Sequence, residues 1–128
     1  MIEGIITEDG VPAIAVEFGN QRWQAIIDTG FNGELELPER LGPHVNARFV
    51  GRATSLLAAN QRIEEEVFLV DFPFDGRMVR AQATFVDGDE ILIGTRMLRD
   101  YRLQIDFPAP NGFHREGLMK TQSPADAN

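Results

Sequence analysis

Apolar and polar residues trade places along this chain with the short period of β-structure, and turn residues punctuate the pattern throughout. Residues 2–7 lead into Glu8-Asp9-Gly10, residues 13–18 into Gly19-Asn20, and residues 22–27 into a polar loop, which predicts a meander of three strands. The run Ala13-Ile14-Ala15-Val16-Glu17-Phe18 is apolar over most of its length, so it predicts a strand covered on both faces. Residues 48–57 and 62–71 flank Ala58-Ala59-Asn60-Gln61, and Asp75-Gly76 joins residues 67–72 to 78–86; these are two consecutive hairpins. Helical signal is scarce. Residues 38–41 are long enough for one turn, and residues 95–101 place Met97, Leu98 and Tyr101 at spacings that share a face, which predicts one short helix near the C-terminal end. Residues 103–107 read as a last strand. Beyond Pro108 the core-forming periodicity stops, so residues 1–107 are expected to form the domain and residues 108–128 a flexible tail. Phe113, Leu118 and Met119 in that tail are candidate points of self-trimming.

Composition narrows the class without naming a function. The 128 residues are 43% apolar and 25% charged, which suits one globular domain with a real core. There is no cysteine, so disulfide frameworks, thiolate metal sites and cysteine nucleophiles are excluded. No apolar run is long enough to span a membrane and no basic leader precedes one, so the expected location is cytoplasmic, with no membrane partner. The balance of 20 acidic to 12 basic residues argues against a nucleic-acid partner, because backbone binding needs clustered Lys and Arg. Arg96, Arg99 and Arg102 read as a solvated face.

Candidate chemistry concentrates in Ala25-Ile26-Ile27-Asp28-Thr29-Gly30, where an apolar strand runs into a carboxylate, a hydroxyl and a glycine. A carboxylate at the end of a buried strand is costly unless its surroundings are arranged for it. Thr29 can donate a hydrogen bond to a neighbouring backbone, and Gly30 permits close approach or a positive φ. On its own the tripeptide reads either as a catalytic loop or as an ordinary turn. Further along, Ile91-Leu92-Ile93-Gly94-Thr95-Arg96-Met97-Leu98 repeats the order of apolar strand, glycine and short amphipathic segment.

With both segments in view, the sequence resembles the retropepsin-like aspartic proteases, in particular their small single-lobe bacterial members. Residues 26–30 look like the family's catalytic loop, Phe31-Asn32-Gly33-Glu34-Leu35-Glu36-Leu37-Pro38 like the strand that follows it, and residues 91–98 like its second apolar-apolar-glycine element. The resemblance spans roughly residues 2–107. It implies an all-β fold, a small closed barrel with a flap hairpin around Ala58–Asn60, and an aspartic endopeptidase acting on peptides. Asp28, Thr29 and Gly30 would be its catalytic loop, and Phe31, Leu56, Leu57, Ala58, Ala59, Asn60 and Ile93 its substrate-binding flap and pocket wall. The chain holds one Asp-Thr-Gly, and this chemistry needs two carboxylates, so the resemblance implies a homodimer. It implies no cofactor and no metal. Two positions depart from the retroviral branch: Thr95 rather than Arg follows Gly94, and Asn32 stands where that branch has an acid. The residues alone leave a rival open, a catalytically inactive dimeric β-barrel module that binds peptides or protein partners, and a small-ligand barrel in which Asp28 is only a turn residue.

The remaining candidates are weaker. Asp87-Gly88-Asp89-Glu90 lacks the spacing of a calcium loop and reads as a solvated turn. Glu64-Glu65-Glu66 on the flap arm reads as a charged edge that blocks strand pairing, or as a feature favouring substrates with basic flanks. His44 and His114 have no ligand pattern around them, neither serine nor phosphate-loop motifs occur, and Trp23 is expected in core or interface packing.

Overall fold

Turn chemistry sets the first part of the fold. In the computed structural model, which describes residues 1–56, 58–107 and 118–122 (Ala58 and residues 118–122 by backbone alone), three strands form the expected meander. They are β1 (Ile2–Ile6), β2 (Pro12–Phe18) and β3 (Gln21–Ile27), paired antiparallel with Ile5 opposite Ala13 and Ile14 opposite Ala25. β2 is not covered on both faces: Ile14, Val16 and Phe18 are buried while Ala15 and Glu17 are exposed. The small Ala15 sits at a solvated position of an antiparallel sheet at little cost, which made the strand look more apolar than its environment.

After β3 the chain forms β4 (Leu35–Pro38), a 3-10 turn over Glu39–His44 that buries Leu41, and a long hairpin of β5 (Ala47–Leu56) and β6 (Arg62–Phe74). β7 (Arg77–Val86) follows through Asp75-Gly76, whose φ values of 56° and 75° are those of a type I′ hairpin turn. Tyr101 Oη donates to Asp75 Oδ2 at 3.2 Å and ties this turn to the segment after Gly94. β8 (Ile91–Ile93), β9 (Arg102–Asp106) and β10 (Leu118–Gln122) complete the described strands.

All of them join one sheet in the order β5-β6-β7-β4-β8-β3-β2-β1-β10-β9. The sheet curls on itself: β2 and β6 are far apart in that order, yet the rings of Phe18 and Phe72 lie 5.6 Å apart. Inside the curl, Phe72, Leu35, Leu37, Leu41, Ile91, Ile93 and Val70 are fully buried, so one core is built by inward residues of β2, β3, β4, β6, β7 and β8 and of the 3-10 turn. Among the described residues β5 and β9 remain the two edges, so hydrogen bonds do not close the barrel that the resemblance implied. β5 is exposed along nearly its whole length, which is the condition of an edge that meets no partner strand.

Two further expectations change. Residues 95–101 form successive turns rather than a helix, with Met97 N bonded to Gly94 O, Leu98 N to Thr95 O and Tyr101 N to Leu98 O at 2.9–3.1 Å. The segment is too short to nucleate a helix cheaply, and each of these bonds spans three residues rather than the four of an α-helix. Leu98 is still buried, with Met97 and Tyr101 packed against the core, so the shared face exists without the helix. Residues 118–122, expected in a tail, form β10 between β1 and β9, with Gly4 opposite Met119 and Met119 opposite Ile105. Pairing on both edges makes Leu118 and Met119 poor points for self-trimming; Phe113 lies outside the described residues, as do residues 108–117 and 123–128 generally. No helix among the described residues is long and apolar enough to cross a membrane.

Phe72 is 0% exposed and touches both Phe18 and Phe74. Phe72→Ala is therefore expected to cost about 3–5 kcal/mol, read as a lowered midpoint in urea denaturation with an unchanged slope.

Candidate functional site

Two loops meet where β3 and β8 end. β8 lies between β3, with which it is parallel (Ile27 opposite Ile93), and β4, with which it is antiparallel (Leu35 opposite Ile93). The chain therefore leaves β3 at Asp28, passes over the end of β8 and returns on its other side. Four backbone hydrogen bonds fasten the crossing: Asp28 N to Ile93 O (2.9 Å), Gly94 N to Glu34 O (2.9 Å), Thr95 N to Phe31 O (2.9 Å) and Arg96 N to Gly33 O (3.2 Å). A Cβ on Gly94 would be driven into the carbonyl oxygen of Gly33 and would stand 2.7 Å from that of Phe31, so the crossing admits only glycine there. The retroviral side-chain pair that Asn32 and Thr95 replace is thus not needed to join the loops, because main-chain groups make the join.

Within this frame Asp28 is half-buried at the end of a strand whose Ala25, Ile26 and Ile27 are buried. Ile27 is turned into the core, so by strand alternation the carboxylate projects from the opposite face. Gly30 N donates to Asp28 Oδ1 at 3.0 Å and Phe31 N donates to the Asp28 carbonyl at 3.1 Å, so the loop folds back on its own carboxylate and orients it. Thr29 and Gly30 are exposed. Gly30 does not use a positive φ, and a Cβ there would come 3.4 Å from Asp28 Oδ1, an ordinary contact, so nothing within one chain requires glycine at this position.

The residues expected to form a pocket wall lie at separate places in the fold. Phe31 is half-buried and its ring turns back over Gly33 and Gly94, bracing the crossing. Ile93 is 0% exposed and faces the core, so it serves the site through its carbonyl and not as a wall. Leu56, at the end of β5, is 67% exposed, and Ala59 and Asn60 are exposed in the 3-10 turn Ala58–Asn60 with φ of 63° and 60°. Leu57 lies outside the described residues, and Ala58 is described by its backbone only. Trp23 packs against the core with the Arg40 guanidinium 4.8 Å above its ring. Asp87, Gly88, Asp89 and Glu90 are exposed, as a solvated turn would be.

One residue of this region gave no separate signal in the sequence beyond its place between two leucines. Leu35 and Leu37 point into the core, so Glu36 points to the outer face, opposite Leu92 of β8 and Thr84 of β7. Its carboxyl is raised above the usual glutamate range, first by burial, then by the negative charges of Glu65 and Asp28. The polar residue at the alternate position of an otherwise buried strand was the available clue.

The folded chain can be set beside known structures. It is similar to the crystal structure of a retropepsin-like aspartic protease from Rickettsia conorii, with a TM-score of 0.58 and 17% identity over 92% of this chain and 88% of that one. It is also similar to the foamy viral protease-reverse transcriptase in complex with an RNA/DNA hybrid, with a TM-score of 0.55 and 22% identity over 72% of this chain. The match covers only 12% of that viral chain, and 16% of the related foamy viral protease-reverse transcriptase in complex with double-stranded DNA. No protein-family model and no curated protein matches the sequence. The likenesses establish a retropepsin-like fold.

Gly94→Ala is expected to destabilise the protein by roughly 3 kcal/mol or more, because backbone and not a mobile side chain blocks the added methyl; thermal denaturation checks this. For Glu36 the sign follows from linkage. The folded carboxyl holds its proton more tightly than the unfolded chain does, so the group favours the fold below the ordinary glutamate range and opposes it as pH rises through the raised value. Glu36→Gln should therefore raise Tm at about pH 7, by the equivalent of a few tenths of a kcal/mol for so exposed a group, and the gain should vanish near pH 4.

Proposed function

We propose that this protein is an aspartic endopeptidase whose active site forms between two copies of the chain, with Asp28 of each as the catalytic pair. The observation that carries this reading is the oriented carboxylate itself: Asp28 emerges from a buried strand, is steered by the Gly30 amide, and stands on a loop locked to β8 in a retropepsin-like fold. One chain has one such carboxylate, and peptide hydrolysis of this type takes two. A twofold axis passing beside Asp28 supplies the second.

The chemistry follows from electrostatics. Two carboxylates about 4 Å apart repel by on the order of 4 kcal/mol at an effective dielectric near 20, about three pKa units, so one of the pair keeps its proton. The ionised carboxylate removes a proton from water, which attacks the peptide carbonyl carbon. The neutral carboxylate gives its proton to the carbonyl oxygen. Collapse of the tetrahedral species breaks the C–N bond while the amine nitrogen takes up a proton. Titration belongs to the pair and not to either Asp28 singly. Thr29 locks the two loops by hydrogen bonding across the dimer, and Gly30 leaves room for that approach. An extended peptide lies between the Asp28 pair and the β5–β6 hairpins, held by strand-like backbone hydrogen bonds with Phe31 and Leu56 beside it.

Incubation with a mixed peptide library between about pH 4 and 7 tests this reading. The wild-type protein should cut, best at mildly acidic pH, and Asp28→Asn should lower the rate by at least about 10²-fold. Activity per chain should also fall on dilution, as it must when the site is shared. If neither protein cuts while both are folded dimers, the inactive peptide-binding module replaces the enzyme.

A further inference from the structure

Part of the β5–β6 hairpin is held by very little. β6 pairs with β7 only from Phe68 onward, whereas its residues before that pair with β5 alone, from Val67 opposite Gly51 to Arg62 opposite Leu56. The register shifts at Phe49/Gly51, so a two-stranded ribbon leaves the sheet just beyond a bulge. Such a ribbon has no core of its own, and its position depends on what it meets on the body of the protein.

The groove beneath it is acidic on the ribbon side, while on the body side Phe85 and Val86 line it beside a single carboxylate, Glu39. Glu64, Glu65 and Glu66 of the ribbon line this groove of about 330 Å³ together with Glu39 and with Thr84 and Phe85 of β7. Thr84 is the cross-strand neighbour of Glu36, which stands on the same outer face. Neither Glu36 nor Glu65 has a hydrogen bond or ion pair among the described residues. Among the described residues no cation is paired with either carboxylate. From β8 comes Leu92 and from β7 Thr84, both uncharged, and from the loop after β3 come Asp28 and Glu34, the latter accepting from Gln82 N. The 3-10 turn brings Glu39, while its Arg40 is turned toward Trp23 and Asp89. On the ribbon, Arg52 lies 3.8 Å from Glu66, not from Glu65.

We infer that Glu36 on the body and Glu65 on the ribbon form an acid-released latch: charged together they hold the ribbon off, and protonation of one lets it settle toward Asp28. Burial and the two neighbouring carboxylates raise the proton affinity of Glu36. Two like charges at partly exposed positions shift such an equilibrium modestly, so the latch biases the ribbon rather than locking it. It rests on the endopeptidase reading for its purpose, since it would couple closure over Asp28 to the mildly acidic range that reading requires, but its test does not use turnover.

Amide hydrogen exchange of residues 51–56 and 62–67, compared between variants at one pH at a time, reads the ribbon directly. At about pH 7, Glu36→Gln and Glu65→Gln should each give about two- to three-fold greater protection than wild type, and the double variant little more than either single one. Near pH 4 the three should match wild type. Glu65→Arg, at a surface position that keeps the fold, should reverse the trend by pairing with Glu36, protecting the ribbon at neutral pH and losing that protection on acidification. Ribbon exchange equal to wild type in Glu36→Gln and Glu65→Arg at both pH values, with β2 and β3 amides unchanged, overturns the latch. Absence of peptide cleavage would leave these exchange results untouched and would count only against the endopeptidase.

Discussion

The fold is organised around the contact between two loops at the end of β8. Four main-chain hydrogen bonds stitch residues 28–34 to residues 93–96, and they form only because Gly94 carries no side chain to keep the carbonyls of Phe31 and Gly33 away. Backbone groups buried in such a crossing must find partners, and here each amide of the second loop is assigned a carbonyl of the first. The same stitching ends β3 and β4 on either side of β8 and fixes the direction in which the Asp28 carboxylate leaves the sheet.

From that constraint the division of labour between faces follows. Strand alternation sends Ile27, Leu35, Leu37, Ile91 and Ile93 into the core and leaves Asp28, Glu36 and Leu92 on the outer face. The apolar side supplies rigidity, and the polar side receives carboxylates that the core cannot accept. Glu36 is held there because its two leucine neighbours are indispensable inside, and the charge it carries is tolerated at the cost of a raised proton affinity. Buried leucines and a carboxyl of raised proton affinity therefore share one short strand.

Local features of this architecture were legible in the sequence and non-local ones were not. The meander, both hairpins and the Asp75-Gly76 turn depend on nearby residues, and the Asp28 loop announced itself by a carboxylate after three apolar residues. β10 was missed because Leu118-Met119-Lys120-Thr121-Gln122 carries little apolar alternation of its own and becomes a strand by pairing with β9 before it and with β1 at the other end of the chain. The helix expected at residues 95–101 failed for a different reason: its spacing was right, but so short a segment closes only turns that span three residues. Ile93 was placed in a pocket wall by its neighbourhood to Gly94, whereas its parity with Ile91 already put it in the core. The raised proton affinity of Glu36 comes first from burial in the folded sheet and then from Glu65 and Asp28, neither of them near it in sequence, so only its alternate position between two leucines was legible.

The central claim is that one catalytic centre takes Asp28 from each of two chains. Co-refolding a fixed amount of wild-type protein with a roughly ninefold excess of Asp28→Asn protein tests it most directly, because random pairing puts about nine wild-type chains in ten beside an inert partner. The account predicts that peptide-cleaving activity per wild-type chain falls to about a tenth of its value in the unmixed protein at the same total concentration. Activity per wild-type chain unchanged by the inert partner would contradict it, since each chain would then hold a complete site of its own.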